Sequence, residues 1–240
     1  MMEALIWISA RKEISIIKYK EARVPSILEK ALSKPDSMKA RIFSSAQKLL
    51  ATYGYDGTTT RMIARDVGID ISTLYYHWGE KKELYLAVLE NFNNEIDSKL
   101  KEIEHKVRGH SLTKRLEVAI DDMSEYLFAN NEVTRLILFS SFMRSKEIHD
   151  LGEAISEYIS NIAVAMGLAM DKSSITVAAK ARVMAVVLSL FSFTAGEQFL
   201  RPILGAQSEQ YVEVIKETLK FILIPAFTRS VEDGAIEHMN

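Results

Sequence analysis

The chain has 240 residues, a formal net charge of −2, 48% hydrophobic side chains, only four prolines and no cysteine. The missing cysteines exclude a disulfide frame, an iron–sulfur cluster and a thiolate zinc site. The length allows one large or two medium domains with an ample core, and the scarcity of Pro and Gly suits an all-α protein.

Charge is unevenly spread. Residues 37–82 hold 7 Lys and Arg against 4 Asp and Glu, whereas residues 83–240 hold 16 against 23. A mildly basic front joined to an acidic body fits a nucleic-acid reader coupled to a domain that stays off phosphate. Met1 to Ala10 carries Glu3 and no basic residue, which makes a poor signal peptide. The most apolar run, Val183 to Ala195, spans 13 residues and falls short of a bilayer. The expectation is a soluble, cytoplasmic protein with no membrane partner.

Residues 1–36 form an N-terminal extension with short apolar bursts and no sustained period. Pro25 and the stretch Ser33-Lys34-Pro35-Asp36-Ser37 separate it from the rest of the chain. Three readings stand: a basic arm that adds phosphate contacts, a frayed or partly helical tail, or an untranslated segment upstream of a start at Met38. Residues 37–53 predict an amphipathic helix. Ser37 is its cap, Ile42, Ala46, Leu49, Leu50 and Tyr53 its apolar face, and Gly54 its end.

Residues 58–85 are the most informative stretch. The Thr58–Thr60 run offers N-cap hydroxyls to a short helix whose Ile63, Ala64 and Val67 face inward. Gly68 suits a left-handed exit, and Asp70 is placed as an acceptor for the amides of the next helix. That helix, about Ile71 to His77, has Leu74 and Trp78 as inward anchors. Ser72, Thr73, Tyr75, Tyr76 and His77 remain on or near its outer side. Helix, Gly-containing turn and polar-faced helix make a helix-turn-helix, whose second helix enters the major groove of DNA. Ordinary helical hairpins share this outline, so spacing alone leaves DNA binding and a structural hairpin both open.

The segment Ala40 to Leu84 resembles the N-terminal domain of the tetracycline-repressor-like (TetR/AcrR) family of transcriptional regulators. The residues that carry the likeness are Ala46, Leu49, Gly54, Thr59-Thr60, Ile63-Ala64, Val67-Gly68-Ile69, Leu74-Tyr75-Tyr76-His77-Trp78, Lys81 and Leu84. The chain departs from the family pattern in three places: Trp78 replaces a usual Phe, Ile71 stands where a polar residue is frequent, and the N-terminal extension is long. The resemblance implies a three-helix DNA-binding head (37–84), a larger helical ligand-binding and dimerisation body (85–230) and a C-terminal tail (231–240). It also implies that Tyr75 and His77 contact phosphate and sugar while Ser72, Thr73 and Tyr76 face base edges. Thr60 and Arg61 approach the backbone, and Lys81 clamps a phosphate with help from free amides at the start of its helix. For Tyr75 the competing reading is partial burial against Leu49.

Beyond Lys82 the pattern is helical throughout. Predicted helices run from the head to about Lys106, from Leu112 to Ala129, from Glu132 to Arg144 and from Ile148 to Ala169. Two more run from about Ser174 to Leu200 and from Ser208 to Arg229. The first of this last pair is apolar on nearly every side, so it demands burial on every side. Packing against the same pair from a second copy supplies that burial, and Val187, Phe191, Val212, Ile215, Leu219 and Ile222 are the expected homodimer contacts. A monomeric bundle with a central apolar helix is the competing arrangement. The resemblance further implies a small-molecule inducer pocket. Met123, Tyr126, Phe139, Phe142, Met143, Met166 and Phe193 are candidate walls, and their chemistry suits a lipophilic ligand. Residues of this kind are more often plain core than pocket wall.

Catalytic constellations are weak. His149-Asp150 with Glu153 has a zinc-like i, i+4 spacing but no third ligand nearby, and no Gly-rich phosphate loop or nucleophile elbow occurs. The expectation is no enzyme, no cofactor and no metal. The partners expected are a palindromic operator in double-stranded DNA, a second copy of the chain and an inducer. The competing function is a helical adaptor that has lost sequence-specific DNA binding.

Overall fold

The computed structural model describes residues 23–142 and 146–237, with side chains described over 27–138 and 156–228. Among these residues there is no strand. The helices in chain order are α1 (Arg23–Leu32), α2 (Met38–Gly57), α3 (Thr60–Val67), α4 (Ile71–Trp78), α5 (Lys81–Val107) and α6 (Leu112–Ala129). They continue with α7 (Asn131–Phe142), α8 (Lys146–Ala165), α9 (Val177–Ala195), α10 (Glu197–Leu204) and α11 (Ser208–Glu237). Two compact units divide them. One takes in residues 23–97 and 132–142, the other 98–131 and 146–237, and α5 runs from the first into the second.

The first unit is the head. Its centre is apolar: Ile42, Ala46, Leu50, Ile63, Leu74 and Trp78 are all sealed from solvent. Ser37 caps α2, its hydroxyl accepting from the Ala40 amide at 3.2 Å. The helical course of α2 breaks at Gly54 (φ 72, ψ 177), so the expected end at this glycine is a kink inside a longer segment. Tyr53, expected on the inner face, lies just before the kink and is 56% exposed.

Residues 27–32 revise the reading of the extension. Ile27, Leu28 and Ala31 are buried, and α1 packs on α2. Three apolar side chains at i, i+1 and i+4 form one sealed stripe, which a frayed tail does not do. Residues 1–22 lie outside the described residues. Helix α7, expected in the body, groups with the head, where Arg135 donates to the Ala51 carbonyl at 3.3 Å.

In the second unit α11 packs along α6, and α9 packs on α8 and α6. Tyr211, fully buried, donates its hydroxyl to the Phe193 carbonyl at 2.9 Å and meets Phe128 edge-on. Lys216 and Lys220 of α11 both reach Asp121 of α6, at 3.5 and 2.8 Å. The expected single helix from Ser174 to Leu200 is two. Gly196 is both the C-cap of α9 and the N-cap of α10, and the Glu197 carboxylate that follows accepts from Asn131 and Ser208.

Helix α9 also corrects the membrane argument. With flanking residues included, Val177–Ala195 is a 19-residue helix of mean hydropathy 1.6, long and apolar enough by length and composition to cross a bilayer. Its apolar surface is not enclosed by its own chain. Val183 and Leu190 are buried, but Val177, Met184 and Leu188 are 86%, 46% and 39% exposed.

Candidate nucleic-acid interface

The helix-turn-helix is built from its caps inward. Thr59 is the N-cap of α3, its hydroxyl accepting from the Met62 amide at 3.2 Å. Helix α3 ends at Gly68 in the left-handed region (φ 76, ψ 40), and the Ile69 amide returns to the Ala64 carbonyl at 2.9 Å. A left-handed residue at this turn redirects the chain within one step, and glycine takes that conformation without Cβ strain. Asp70 holds the N-cap position of α4, but its carboxylate accepts no amide, contrary to expectation. Its backbone carbonyl accepts from Thr73 and Leu74 instead.

Helix α4 is anchored from one side. Leu74 and Trp78, one turn apart, are wholly buried. The Trp78 ring stacks on Phe43 at 5.7 Å, and its indole N–H donates to the Lys39 carbonyl at 2.9 Å. The opposite side is open: Ser72 is exposed, Tyr75 is 45% exposed and Tyr76 is 81% exposed. Thr73 and His77 lie at the margins, half-buried. On α3, Arg61 is exposed and Thr60 half-buried, and the hydroxyls of Thr60 and Tyr75 stand 3.5 Å apart. Arg61 of α3 and Ser72, Tyr75 and Tyr76 of α4 are therefore accessible to solvent, and the Thr60–Tyr75 pair links the two helices.

His77 and Lys81 sit differently. Burial first, and the Lys39 charge second, hold the His77 imidazole below its ordinary pKa, and its buried Nδ1 has no hydrogen-bond partner. Both causes favour the neutral imidazole over the charged form. Lys81 donates its ammonium to the carbonyls of Tyr55 (2.7 Å) and Thr58 (3.0 Å) and lies over the Tyr55 ring at 4.1 Å. At the start of α5 the Glu83 carboxylate accepts from the Glu80 amide at 2.7 Å, so that helix end already carries an anion.

Sequence reasoning missed several residues that hold this surface in shape. Thr58, taken as one of three capping hydroxyls, is fully buried and donates toward the carbonyls of Leu49 (3.0 Å) and Gly54 (2.8 Å). Lys39 donates to the His77 carbonyl at 3.3 Å, and Arg41 donates to the Val67 carbonyl at 2.9 Å. Gly79 approaches so closely that a Cβ there would stand 1.7 Å from the Glu83 carboxylate oxygen. Only the sequence position of Lys39 and Arg41, at the start of a helix next to an apolar stripe, hints at such roles.

Residues 42–88 match the family model for "Bacterial regulatory proteins, tetR family". Over this head, the chain is similar to the tetR family of bacterial regulators. The biofilm operon icaADBC HTH-type negative transcriptional regulator IcaR of Staphylococcus epidermidis is 44% identical over 61 residues, covering 25% of this chain and 33% of that protein. The Staphylococcus aureus IcaR is 46% identical over 48 residues, 20% of this chain and 26% of its own length. The likeness thus spans about a third or less of these relatives and lies in one stretch of sequence. The fold extends further. SCO4454, a TetR-family regulator of Streptomyces coelicolor, superposes with a TM-score of 0.60 at 13% identity, over 88% of this chain and 96% of that one. FadR of Bacillus subtilis, solved with stearoyl-CoA, gives 0.56 at 13% identity over 77% and 97%. The all-α fold, a helix-turn-helix head with a helical body, is that of tetR-family regulators.

The remaining sequence candidates fall elsewhere. Met123 and Met166 are buried in the second unit, and Tyr126 and Phe193 are half-buried there. The side chains of Phe139 and Phe142, and all of Met143, lie outside the described residues, as do the side chains of His149, Asp150 and Glu153. Among the described residues no three His, Asp or Glu cluster as a metal site. Of the expected dimer contacts, Ile215 and Leu219 are buried against their own subunit (3% and 2% exposed), which corrects their assignment to an outer face. Val187, Phe191 and Val212 are half-buried, and Ile222 is 55% exposed.

Proposed function

We propose that this protein is a transcriptional repressor of the tetR family, that it binds a palindromic operator in double-stranded DNA as a homodimer, and that a small lipophilic ligand releases it. The observation that carries this reading is the two-sidedness of α4. One side is locked into the head by Leu74 and Trp78, and the other offers Ser72, Tyr75 and Tyr76 beside Arg61 of α3. Ser and Tyr hydroxyls and an Arg guanidinium suit base edges and phosphates at the depth a helix reaches in the major groove. Thr60, Thr73 and His77 complete the face at its margins. IcaR, which is alike over this segment, is a negative regulator, and that favours repression.

Dimerisation is supported by α9 and α11. Met184, Leu188, Val214, Phe221 and Ile222 expose apolar surface that a second copy would cover. We assign the bilayer-length helix α9 to this interface and the protein to the cytoplasm, as a regulator and no enzyme. A lipophilic ligand is favoured by the buried Met123 and Met166 and by the fold shared with FadR, which was solved with stearoyl-CoA. Such a ligand acts by binding one arrangement of the dimer better than another.

Footprinting of purified protein on fragments of its own genome tests the reading. A protected inverted repeat whose occupancy falls steeply with salt supports it, and salt-insensitive or absent protection overturns it in favour of an adaptor. Phe221→Glu should give monomers by sedimentation at micromolar concentration. A dimer that survives this change removes α11 from the interface.

A further inference from the structure

Three cations of the head point inward, each to the carbonyl end of a helix. Arg41 reaches Val67 at the end of α3, Lys39 reaches His77 at the end of α4, and Lys81 reaches Tyr55 and Thr58 at the end of α2. The last turn of a helix leaves carbonyls unpaired and carries the negative end of its dipole, so a cation there is bonded and attracted together. Lys39 is tied twice, because its own carbonyl accepts the Trp78 indole N–H at 2.9 Å. The ammonium of Lys81 has two carbonyls and one aromatic face around it, and a carboxylate already occupies the start of its helix.

We propose that Lys39 and Lys81 are positioning residues of the DNA-reading surface, which hold the recognition helix by its carbonyl end and by the loop behind it and give no charge to phosphate. This rests on the DNA-binding reading and departs from the phosphate clamp that family resemblance implies for Lys81. Phosphate contact falls instead to exposed cations such as Arg61, next to Thr60 at the start of α3.

The test compares salt dependence. Binding of a mixed-sequence duplex of about 30 base pairs is followed by anisotropy between about 50 and 200 mM NaCl for the parent, Arg61→Met, Lys39→Met and Lys81→Met. Each phosphate contact contributes about 0.9 to the slope of log affinity against log salt. Arg61→Met should lower the slope by about that amount, while the two Lys variants keep the parent slope and melt at lower temperature. Lys39→Arg, which restores a cationic donor, should recover the melting temperature. Should either Met variant fail to fold, Lys39→Gln and Lys81→Gln keep a donor without charge and allow the same comparison. A slope reduced by about 0.9 in either Lys variant overturns the proposal for that residue. A separate reading comes from NMR titration of His77, whose pKa should rise when Lys39 becomes Gln; an unmoved His77 places the Lys39 ammonium in solvent and overturns its role. If the parent binds no duplex even at low salt, the DNA-binding reading fails, while the His77 titration still decides the Lys39 contact.

Discussion

Trp78 donates its indole N–H to the carbonyl oxygen of Lys39, 39 positions earlier in the chain, at 2.9 Å. This bond joins the last residue of the recognition helix to the first turn of the helix that braces it, and the Phe43 ring stacks beside it. Trp78→Phe keeps an aromatic in the site and removes the donor. It should cost about 1 kcal/mol in urea denaturation, whereas Trp78→Ala, which also empties the pocket, should cost about 3–5 kcal/mol. Equal losses for the two variants would mean that the hydrogen bond dominates over the packing.

Thr58 is expected to be more sensitive than its neighbours. Thr58→Val keeps the shape but leaves the Leu49 and Gly54 carbonyls without the buried hydroxyl, at a cost of about 1–3 kcal/mol. Thr59→Val removes an N-cap and should cost about 1 kcal/mol. Paired denaturation curves for the two variants check the order.

Two glycines should respond differently to alanine. At Gly68 the penalty is the left-handed backbone alone, about 1–2 kcal/mol, because nothing lies within 4 Å of a new Cβ. Gly79→Ala adds eviction of the Glu83 carboxylate from its amide, so its loss should be the larger. Glu83→Ala made in the Gly79→Ala background should cost less than in the parent, which a double-mutant cycle would measure.

Glu90 carries a pH prediction. Partial burial, with the Glu29 charge as a second cause, raises its pKa above the ordinary carboxylate value. A carboxyl raised in the folded state contributes stability below its unfolded pKa and loses that contribution as pH rises through the folded one. Glu90→Gln should therefore raise the melting temperature at pH 7, and the gain should vanish once pH falls below the unfolded value of about 4.3. A gain that persists in acid would point to packing as the cause.

Much of the fold was legible because the relevant signals are local. Ser37, Thr59 and Gly68 mark helix ends by their own chemistry, and Leu74 and Trp78 mark an inner face by their spacing. What escaped detection depends on residues far apart in sequence. That Thr58 would be buried, or that Lys81 would turn to Tyr55, is set by how α2 meets α5, and a Lys bonded to carbonyls looks in sequence like a Lys aimed at phosphate. The same limit explains Ile215 and Leu219. Helical periodicity identified them as apolar, but not which of two apolar sides of α11 meets its own subunit. Just after the break between α9 and α10, Glu197 accepts from Asn131 and Ser208, contacts with no trace in local pattern.

Gly79 also bears on how the sequence around α4 can vary. Because Gly79 holds φ at +86, where a side chain is strained, and the Glu83 carboxylate would also have to shift, the junction after α4 disfavours replacement of this glycine. Leu74 and Trp78 are closed to change by their burial. On the proposed DNA-binding reading, a descendant acquiring a new operator would be steered toward substitutions at the exposed Ser72, Tyr75 and Tyr76, which leave the buried anchors of α4 in place.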